Sequence, residues 1–130
     1  MQRGLPRHER ELPMEEQEFL FFRGSTPTLE LVLPLAVGAQ DVVFLTFSQG
    51  GQAVVEYAIN GQPDPAGTGV LARDAAEENV LLLTMTQADT LRLEPGDTEL
   101  QLRLKNSVGA DTFRPLIGRI GPARKEGILT

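Results

Sequence analysis

The sequence has no cysteine and no tryptophan, and only one histidine and one tyrosine among its 130 residues. Without cysteine, the chain has no disulfide framework, no thiolate nucleophile and no cysteine metal ligand. This composition fits a reducing compartment, or an assembly that does not depend on oxidation. The one histidine, His8, lies in a polar leader interrupted by prolines, where neither a general base nor a metal ligand would be held rigidly.

Long apolar runs are also missing. No run approaches the roughly 20 residues of a membrane span, and the first 19 residues lack the apolar segment of a signal peptide. We therefore expect no membrane partner. The apolar fraction of 41% and the charged fraction of 23% are typical of a globular domain, and the length suits one such domain.

Charge is unevenly distributed along the chain. Residues 25–102 contain 11 acidic and two basic residues, whereas the section from Arg103 onward contains six basic and two acidic ones. The net charge of −6 makes nucleic acid an unfavoured partner, because the folded body would repel phosphate. Two interpretations stay open: a solvated tail, or a basic end that contacts the acidic body of a neighbouring subunit. The candidate contact residues are Arg114, Arg119, Arg124 and Lys125.

Period-two patterns predict about seven strands and no long helix. In the segments 28–34 and 98–106, leucines alternate with polar residues, which places one leucine face on a core. The other strands are predicted at 18–24, 41–48, 52–58, 80–86 and 111–121. Pro115 predicts that the last strand lies at a sheet edge or contains a bulge. Strands at this spacing are typical of an all-β sandwich or barrel.

The turns between these strands have recognisable chemistry. Gly50 and Gly51 predict a tight hairpin between 41–48 and 52–58, because glycine reaches positive φ without penalty. The strand 41–48 is apolar on both faces, which predicts a central strand covered on both sides. Thr86 and Asp89 fit a capping box, which predicts one helical turn over 86–91.

The segment from 60 to 79 is the longest predicted loop. Glycine and proline dominate 60–69, whereas 70–79 fits either a short strand followed by an acidic loop or a single helical stretch. We divide the chain into a flexible polar arm (1–17), a β-sandwich domain (18–121) and a basic tail (122–130).

The acidic residues offer only weak catalytic or metal-binding candidates. Carboxylates in the loop could bind calcium through oxygen, but their spacing matches no calcium loop, and a solvated loop is the simpler explanation. Carboxylates on strands could serve a glycosidase pair, but solvent-facing positions are the simpler explanation. We therefore predict no catalytic residue, no metal and no cofactor, and we expect a protein that is not an enzyme. The loop candidates are Asp64, Asp74, Glu77 and Glu78, and the strand candidates are Glu30, Glu56 and Glu99.

Four stretches of the chain carry a family resemblance. They are "FRGSTPTLELVLPL", "VVFLTFSQGGQAVVE", "LLLTMTQADTLRLEPGDTELQLRL" and a closing "GRI" followed by "KEGIL". In these motifs the chain resembles the small β-sandwich proteins of the structural modules of tailed phages and prophages of Gram-positive bacteria. It is also similar to the immunoglobulin-like N-terminal domain of upper baseplate proteins of lactococcal-type phages. The polar arm and the long 60–79 loop depart from the pattern, which leaves open the position in the particle.

The resemblance implies a fold and a role. The expected fold is a single immunoglobulin-like β-sandwich of about seven strands with one short helical turn. The expected role is a non-enzymatic component of a phage or prophage tail or baseplate that contacts other virion proteins and itself. Its expected location is the virion, and the cytoplasm of the bacterial host during assembly. The alternative is a module that binds host-surface saccharide through the 60–79 loop, since loops on rigid sandwiches often carry binding functions.

Overall fold

The computed structural model describes residues 9–11 and 17–122, with residues 9–11 and 114–117 described by their backbone alone. This part of the chain forms nine strands and one helical turn. The elements are β1 (Glu9–Glu11), β2 (Gln17–Phe22), β3 (Thr28–Val32), β4 (Val42–Gln49), β5 (Gln52–Ile59), β6 (Val70–Arg73), β7 (Val80–Thr84), α1 (Gln87–Thr90), β8 (Gly96–Lys105) and β9 (Ala110–Gly121).

The strands form two sheets with the core between them. The larger sheet has the order β9–β8–β4–β5, and β1 and β2 both lie along the other side of β9. The smaller sheet has the order β3–β7–β6. Neighbouring strands are antiparallel except that β1 and β2 run parallel to β9. The fold is an immunoglobulin-like β-sandwich, as the sequence predicted.

The predicted leucine faces form much of the core. In β8, Leu100, Leu102 and Leu104 are at most 1% exposed, while the alternating positions lie toward solvent. Burying a leucine side chain contributes about 1.5–3 kcal/mol relative to leaving it in water. The period-two pattern therefore fixes which face of each strand lies inward. The buried leucines predicted on the other alternating segment are Leu29, Leu31 and Leu33.

The central strand β4 differs from its prediction on one face. It is a central strand, as predicted, with β8 and β5 on its two sides, and it buries Val43, Leu45 and Phe47 completely. Its other apolar face, which includes Phe44, is only half-buried. The prediction that this strand is covered on both faces was wrong, because the second sheet packs on one face only. The loop at Gly61 covers part of the other, since a Cβ there would lie 2.6 Å from Phe44 Cζ.

The N-terminal region contains a strand that the sequence did not predict. β1 lies within the segment predicted as a flexible arm, and it pairs with the start of β9. β2 begins at Gln17, one residue before the predicted domain boundary, and pairs with the end of the same strand. The count of nine described strands exceeds the predicted seven through β1 and the short β6.

Pro115 lies in a bulge of β9, one of its two predicted settings. The β8–β9 register passes from Leu100 opposite Leu116 to Leu102 opposite Phe113, so two residues of β9 oppose Gln101. On its other side, β9 pairs with β1 up to Thr112 and with β2 from Leu116 onward. A bulge accommodates proline because the extra residue leaves the ladder of hydrogen bonds.

The β4–β5 hairpin has the predicted two-residue turn. Gln49 pairs with Gln52, and Gly50 and Gly51 both have positive φ, at 59° and 78°. Two successive residues of positive φ make the type I′ turn, whose twist matches that of the flanking strands. The prediction for these two glycines is confirmed.

Replacing Gly50 by alanine should lower the free energy of unfolding by about 1 kcal/mol, because an L side chain is strained in the left-handed region. No atom lies within 4 Å of the added Cβ, so the cost comes from the backbone alone. Gly50→Asn should cost less, since asparagine tolerates this conformation. Urea denaturation measures both.

Gly38→Ala is the matched control. Gly38 does not have a positive φ, and its added Cβ would make ordinary contact at 3.6 Å with the Asp41 carboxylate. We expect no loss of stability there, because alanine restricts the unfolded chain more than glycine does. Equal losses at positions 38 and 50 would contradict the backbone explanation.

Candidate functional site

The predicted 60–79 loop is fastened to the sandwich at several points. Its first half runs along the outer edge of β5, where Glu56 N–H donates to Pro65 O at 2.7 Å and Gly67 N–H donates to Glu56 O at 3.0 Å. The Glu56 carboxylate also accepts from Asp64 N–H at 3.0 Å and from Thr46 Oγ1 at 2.6 Å. Its second half begins with β6, so the strand-then-loop alternative for 70–79 is confirmed.

Arg92 closes the remainder of this edge. One nitrogen of its guanidinium donates to Ala66 O at 2.8 Å, and the other donates to Val54 O at 2.9 Å. The side chain therefore joins the loop to β5 through main-chain carbonyls. Arg92 was not among the residues predicted from the sequence, because the pattern around it gave no sign of its partners.

Asp89 is the most heavily bonded side chain among these loop contacts. Its residue is 0% exposed, and its carboxylate accepts from Tyr57 Oη at 2.6 Å and from Gly69 N–H at 2.9 Å. It also accepts from Thr68 N–H at 2.8 Å and from Thr68 Oγ1 at 3.0 Å. Four donors surround one buried carboxylate and satisfy it, and they join α1, β5 and the loop.

These contacts act on the pKa of both partners. Burial by itself would raise the pKa of Asp89, but donation from Tyr57, Thr68 and Gly69 favours the carboxylate and lowers the pKa below its ordinary value of 3.8. Burial, and next the hydrogen bond to Asp89, raises the pKa of the Tyr57 hydroxyl. Tyr57 therefore stays protonated and acts as the donor of the pair.

The predicted capping box forms only in part. Thr86 is the N-cap of α1, and its hydroxyl accepts from Asp89 N–H at 3.2 Å. The Asp89 carboxylate, which would complete the box by bonding back to the N-cap, is occupied by the loop instead. The local signal at Thr86 and Asp89 was visible in sequence, whereas the partners Tyr57 and Thr68 lie more than 20 residues away along the chain.

The other predicted carboxylate candidates are dispersed. Glu30 and Glu99 are exposed on different sheets, and Asp74 accepts from Ala76 N–H and Glu77 N–H in a local turn. Within residues 9–11 and 17–122, no group of three potential ligands could hold a metal ion. The lone tyrosine, Tyr57, is 2% exposed, so its ring has no face for stacking on a sugar.

Of the four predicted basic contact residues, the structure places the side chain of Arg119 alone. Its Nε lies 2.8 Å from a Glu18 carboxylate oxygen and 3.8 Å from one of Asp97. Arg119 thus joins its two neighbouring strands, and its charge is compensated within the subunit. Such exposed pairs contribute little to stability. Arg124 and Lys125, and the side chain of Arg114, lie outside the described residues, so their contact role stays a prediction.

An exposed apolar patch lies on the strand next to Arg119. Leu20 and Phe22 are 75% and 60% exposed, whereas the alternate residue Phe21 is 5% exposed. A shallow groove of about 380 Å³ runs between these side chains and Gly96 and Asp97. The sequence analysis assigned this run to a strand but did not separate its two faces, because both are apolar.

No helix in the described part of the chain has the length and apolar character needed to cross a membrane.

No protein-family model and no curated protein matches the sequence. Solved structures match in overall fold. CopC from Methylosinus trichosporium OB3b is 16% identical with a TM-score of 0.48, over 88% of this chain and 92% of that one. The first immunoglobulin-like domain of human CD48 antigen is 11% identical with a TM-score of 0.41, over 88% of each chain.

A third similar structure is AggA, the major subunit of aggregative adherence fimbriae type I from Escherichia coli. It is 11% identical with a TM-score of 0.26, over 82% of this chain and 90% of that one. All three TM-scores lie below 0.5, so no ligand, partner or role is transferred from these proteins.

Asp89→Asn should lower the free energy of unfolding by about 3 kcal/mol, because an amide turns a donor toward groups that are themselves donors and leaves them buried without an acceptor. Tyr57→Phe removes one donor only and should cost about 1–2 kcal/mol. Glu99→Gln, at an exposed position, should stay within about 0.5 kcal/mol of the parent. If denaturant titration gives the same stability for Asp89→Asn and Glu99→Gln, the carboxylate does not hold the loop.

The same carboxylate predicts a pH dependence. The folded-state pKa of Asp89 lies below its ordinary value of 3.8, so its contribution to stability is complete above that value and is lost as the pH falls through the folded pKa. Asp89→Asn should therefore flatten the acid limb of a plot of stability against pH. An acid limb of equal slope in Asp89→Asn and the parent would refute this assignment.

Proposed function

We propose that this protein is a non-enzymatic structural subunit of a phage or prophage particle, of the tail or baseplate type, that acts through protein–protein contacts. The observation that carries the contact role is the pair Leu20 and Phe22, two large apolar side chains exposed side by side at the edge of the larger sheet. Exposed apolar clusters of this kind mark interaction surfaces in soluble proteins.

The ionisable groups of the body support the same proposal. Asp89, Glu56 and Arg92 are engaged in fastening the 60–79 loop, and the predicted strand carboxylates lie on separate faces. A catalytic constellation needs a reactive group and its base within hydrogen-bond reach, next to a space for substrate. The buried carboxylate of Asp89, which contacts the loop, instead accepts hydrogen bonds from four donors.

The assignment to a particle rests on the sequence motifs. The residues of the "FRGSTP" motif have structural tasks, since Arg23 Nε donates to Leu93 O at 2.7 Å and Gly24 N–H donates to Thr90 Oγ1 at 2.9 Å. The motif thereby joins β2 to the segment after α1. The motifs that carry the resemblance are therefore parts of one scaffold, which is consistent with a family defined by its framework.

The basic end is the second contact surface in this proposal. Seven acidic residues within 25–102 are exposed: Glu30, Asp64, Glu77, Glu78, Glu94, Asp97 and Glu99. Arg124 and Lys125 follow the domain directly in sequence. Opposite charges of this kind on two copies favour association and set its orientation.

The proposal predicts that the chain is incorporated into particles. Particles released by the bacterium that carries the gene are purified by density gradient and analysed by quantitative mass spectrometry. The chain should be present at a fixed ratio to the major virion proteins, above an abundant cytoplasmic enzyme measured as the carry-over control. Arg124→Glu with Lys125→Glu should reduce this ratio, since the charges no longer attract the acidic body.

Two results would contradict the proposal. One is a chain recovered at the level of the cytoplasmic control. The other is a gene deletion that leaves particle composition and infectivity unchanged. Binding of the purified chain to a glycan array, abolished by shortening the 60–79 loop, would favour the saccharide-binding alternative instead.

A further inference from the structure

Three of the sheet edges in the described part of the chain are closed or short. The β5 edge is covered by the loop and by Arg92. At the β3 edge, the Gln17 side-chain amide donates to Val32 O at 2.7 Å and accepts from Val32 N–H at 3.0 Å, as a neighbouring strand would. The β6 edge belongs to a strand of four residues. Covering and shortening are the usual means by which proteins prevent pairing at an edge.

Within the described part of the chain, the edge formed by β2 has unpaired main-chain groups at its centre. Arg23 N–H donates to Gly121 O, and in this parallel register the odd-numbered residues of β2 direct their main-chain groups toward β9. The N–H and C=O of Leu20 and the N–H of Phe22 therefore point away from the sheet. Phe22 O is already an acceptor for Ser25 N–H at 3.1 Å and Ser25 Oγ at 2.6 Å.

The exposed side chains at the centre of this edge are apolar, and the one acidic side chain of β2 has a basic partner. Phe22 packs over Gly121, where an added Cβ would lie 2.5 Å from the ring. Leu20 is three-quarters exposed beside it. The one acidic side chain of β2, Glu18, is held by Arg119 at 2.8 Å. An edge with exposed apolar side chains and no uncompensated charge lacks the usual protection against a partner strand.

We propose that β2 pairs with β2 of a second copy of this chain, antiparallel, about a two-fold axis at Leu20. In this register Leu20 lies opposite Leu20 of the second copy, and Glu18 lies opposite Phe22 of the second copy. The outward groups of the two Leu20 residues form two hydrogen bonds, and each Phe22 N–H reaches the Glu18 carbonyl across the axis. The larger sheets of the two copies become continuous.

Charge and symmetry select a second copy as the occupant. A two-fold axis centred on Leu20 places no like charges opposite each other, since Glu18 faces Phe22 and each Glu18 retains its own Arg119. An edge that is complementary to itself in this way makes the isologous contact of a symmetric dimer. The two exposed leucines meet at the centre of the contact, where desolvation is most complete.

The contact is small, which sets its strength. Pairing two six-residue strands buries less than the roughly 1,600 Å² of a standard interface. We therefore expect a dissociation constant weaker than about 1 μM. The inference rests on the proposed function, which supplies the expectation that the exposed edge contacts protein. Inside a particle, neighbouring contacts would raise the effective concentration of the two edges.

Single cysteines test the register directly, because the native chain has none. Residues of a hydrogen-bonded antiparallel pair have Cα atoms about 5.5 Å apart, within the range that a disulfide spans. Leu20→Cys should form a covalent dimer under mild oxidation at least roughly tenfold faster than Val108→Cys. Val108 is the matched control, since it is 88% exposed in the turn between β8 and β9. Equal rates would overturn the proposal.

Non-covalent association is measured by analytical ultracentrifugation over a wide range of concentrations. Leu20→Lys should weaken self-association at least roughly tenfold, because an edge lysine resists pairing with its own copy. Val108→Lys should leave it unchanged. Leu20→Pro removes an outward N–H without removing a β2–β9 bond, and should weaken association as well. Circular dichroism of each variant shows that it is folded, and if one is not, the cysteine pair gives the answer.

Three outcomes would overturn the inference: a parent chain that is monomeric throughout, a dimer unaffected by Leu20→Lys, or a β2 edge that binds a different virion protein while the chain alone stays monomeric. The proposed function is tested separately by particle composition. If the chain is present in particles but Leu20→Lys leaves its dimer unchanged, the inference is refuted and the proposed function is not. If the dimer depends on β2 but the chain is absent from particles, the proposed function is refuted and the inference is not.

Discussion

The structure depends on one constraint, which is that the main-chain N–H and C=O groups at the edges of its two sheets must find partners or be protected. A sandwich has open edges on both sheets, and unpaired groups there recruit other strands. The edge of β5 is covered by a loop that bonds to Glu56, and the edge of β3 is capped by the amide of Gln17. Where this protection is absent, at β2, the side chains that surround the gap are apolar.

The protection of the β5 edge depends in turn on one buried carboxylate. Asp89 accepts hydrogen bonds from two separate segments, from Tyr57 on β5 and from Thr68 and Gly69 in the loop. A buried charge is costly unless its hydrogen-bonding capacity is satisfied, and the four donors satisfy it. This arrangement explains why a stretch with glycine or proline at nearly every second position holds a defined course along the sheet. It also places the longest loop of the chain in a structural role.

These two features together shape the proposed function. Asp89, Glu56 and Arg92 hold the loop to the sandwich, and β2 presents an exposed apolar strand edge among the described residues. In the proposed function, such a protein contacts other protein surfaces by adding a strand and by burying a few apolar side chains. The acidic body and basic C-terminal section add an orientation to such contacts. A small contact repeated many times in a particle is sufficient for assembly, because each one is supported by its neighbours.

The sequence predicted the fold class well, for a physical reason. The leucines at 29, 31 and 33, and again at 100, 102 and 104, can all be buried only in an extended strand, since side chains alternate between its faces. Gly50 and Gly51 predicted the tight turn for a similar reason, because two successive residues of positive φ favour glycine. Thr86 at the N-cap was visible for the same reason, because capping is decided by residues a few positions apart.

What the sequence could not determine involves partners far apart along the chain. The bonds of Asp89 to Tyr57 and of Gln17 to Val32, and the parallel pairing of β2 with β9, have no local pattern. Both faces of "EFLFF" are apolar, so the sequence did not predict which one is buried. In the structure Phe21 lies in the core and Leu20 is exposed. The sequence by itself thus determined seven of the nine described strands and the leucine faces that line the core. Only the tertiary structure decided which edge stays open, because an edge is defined by the strands that do not lie beside it.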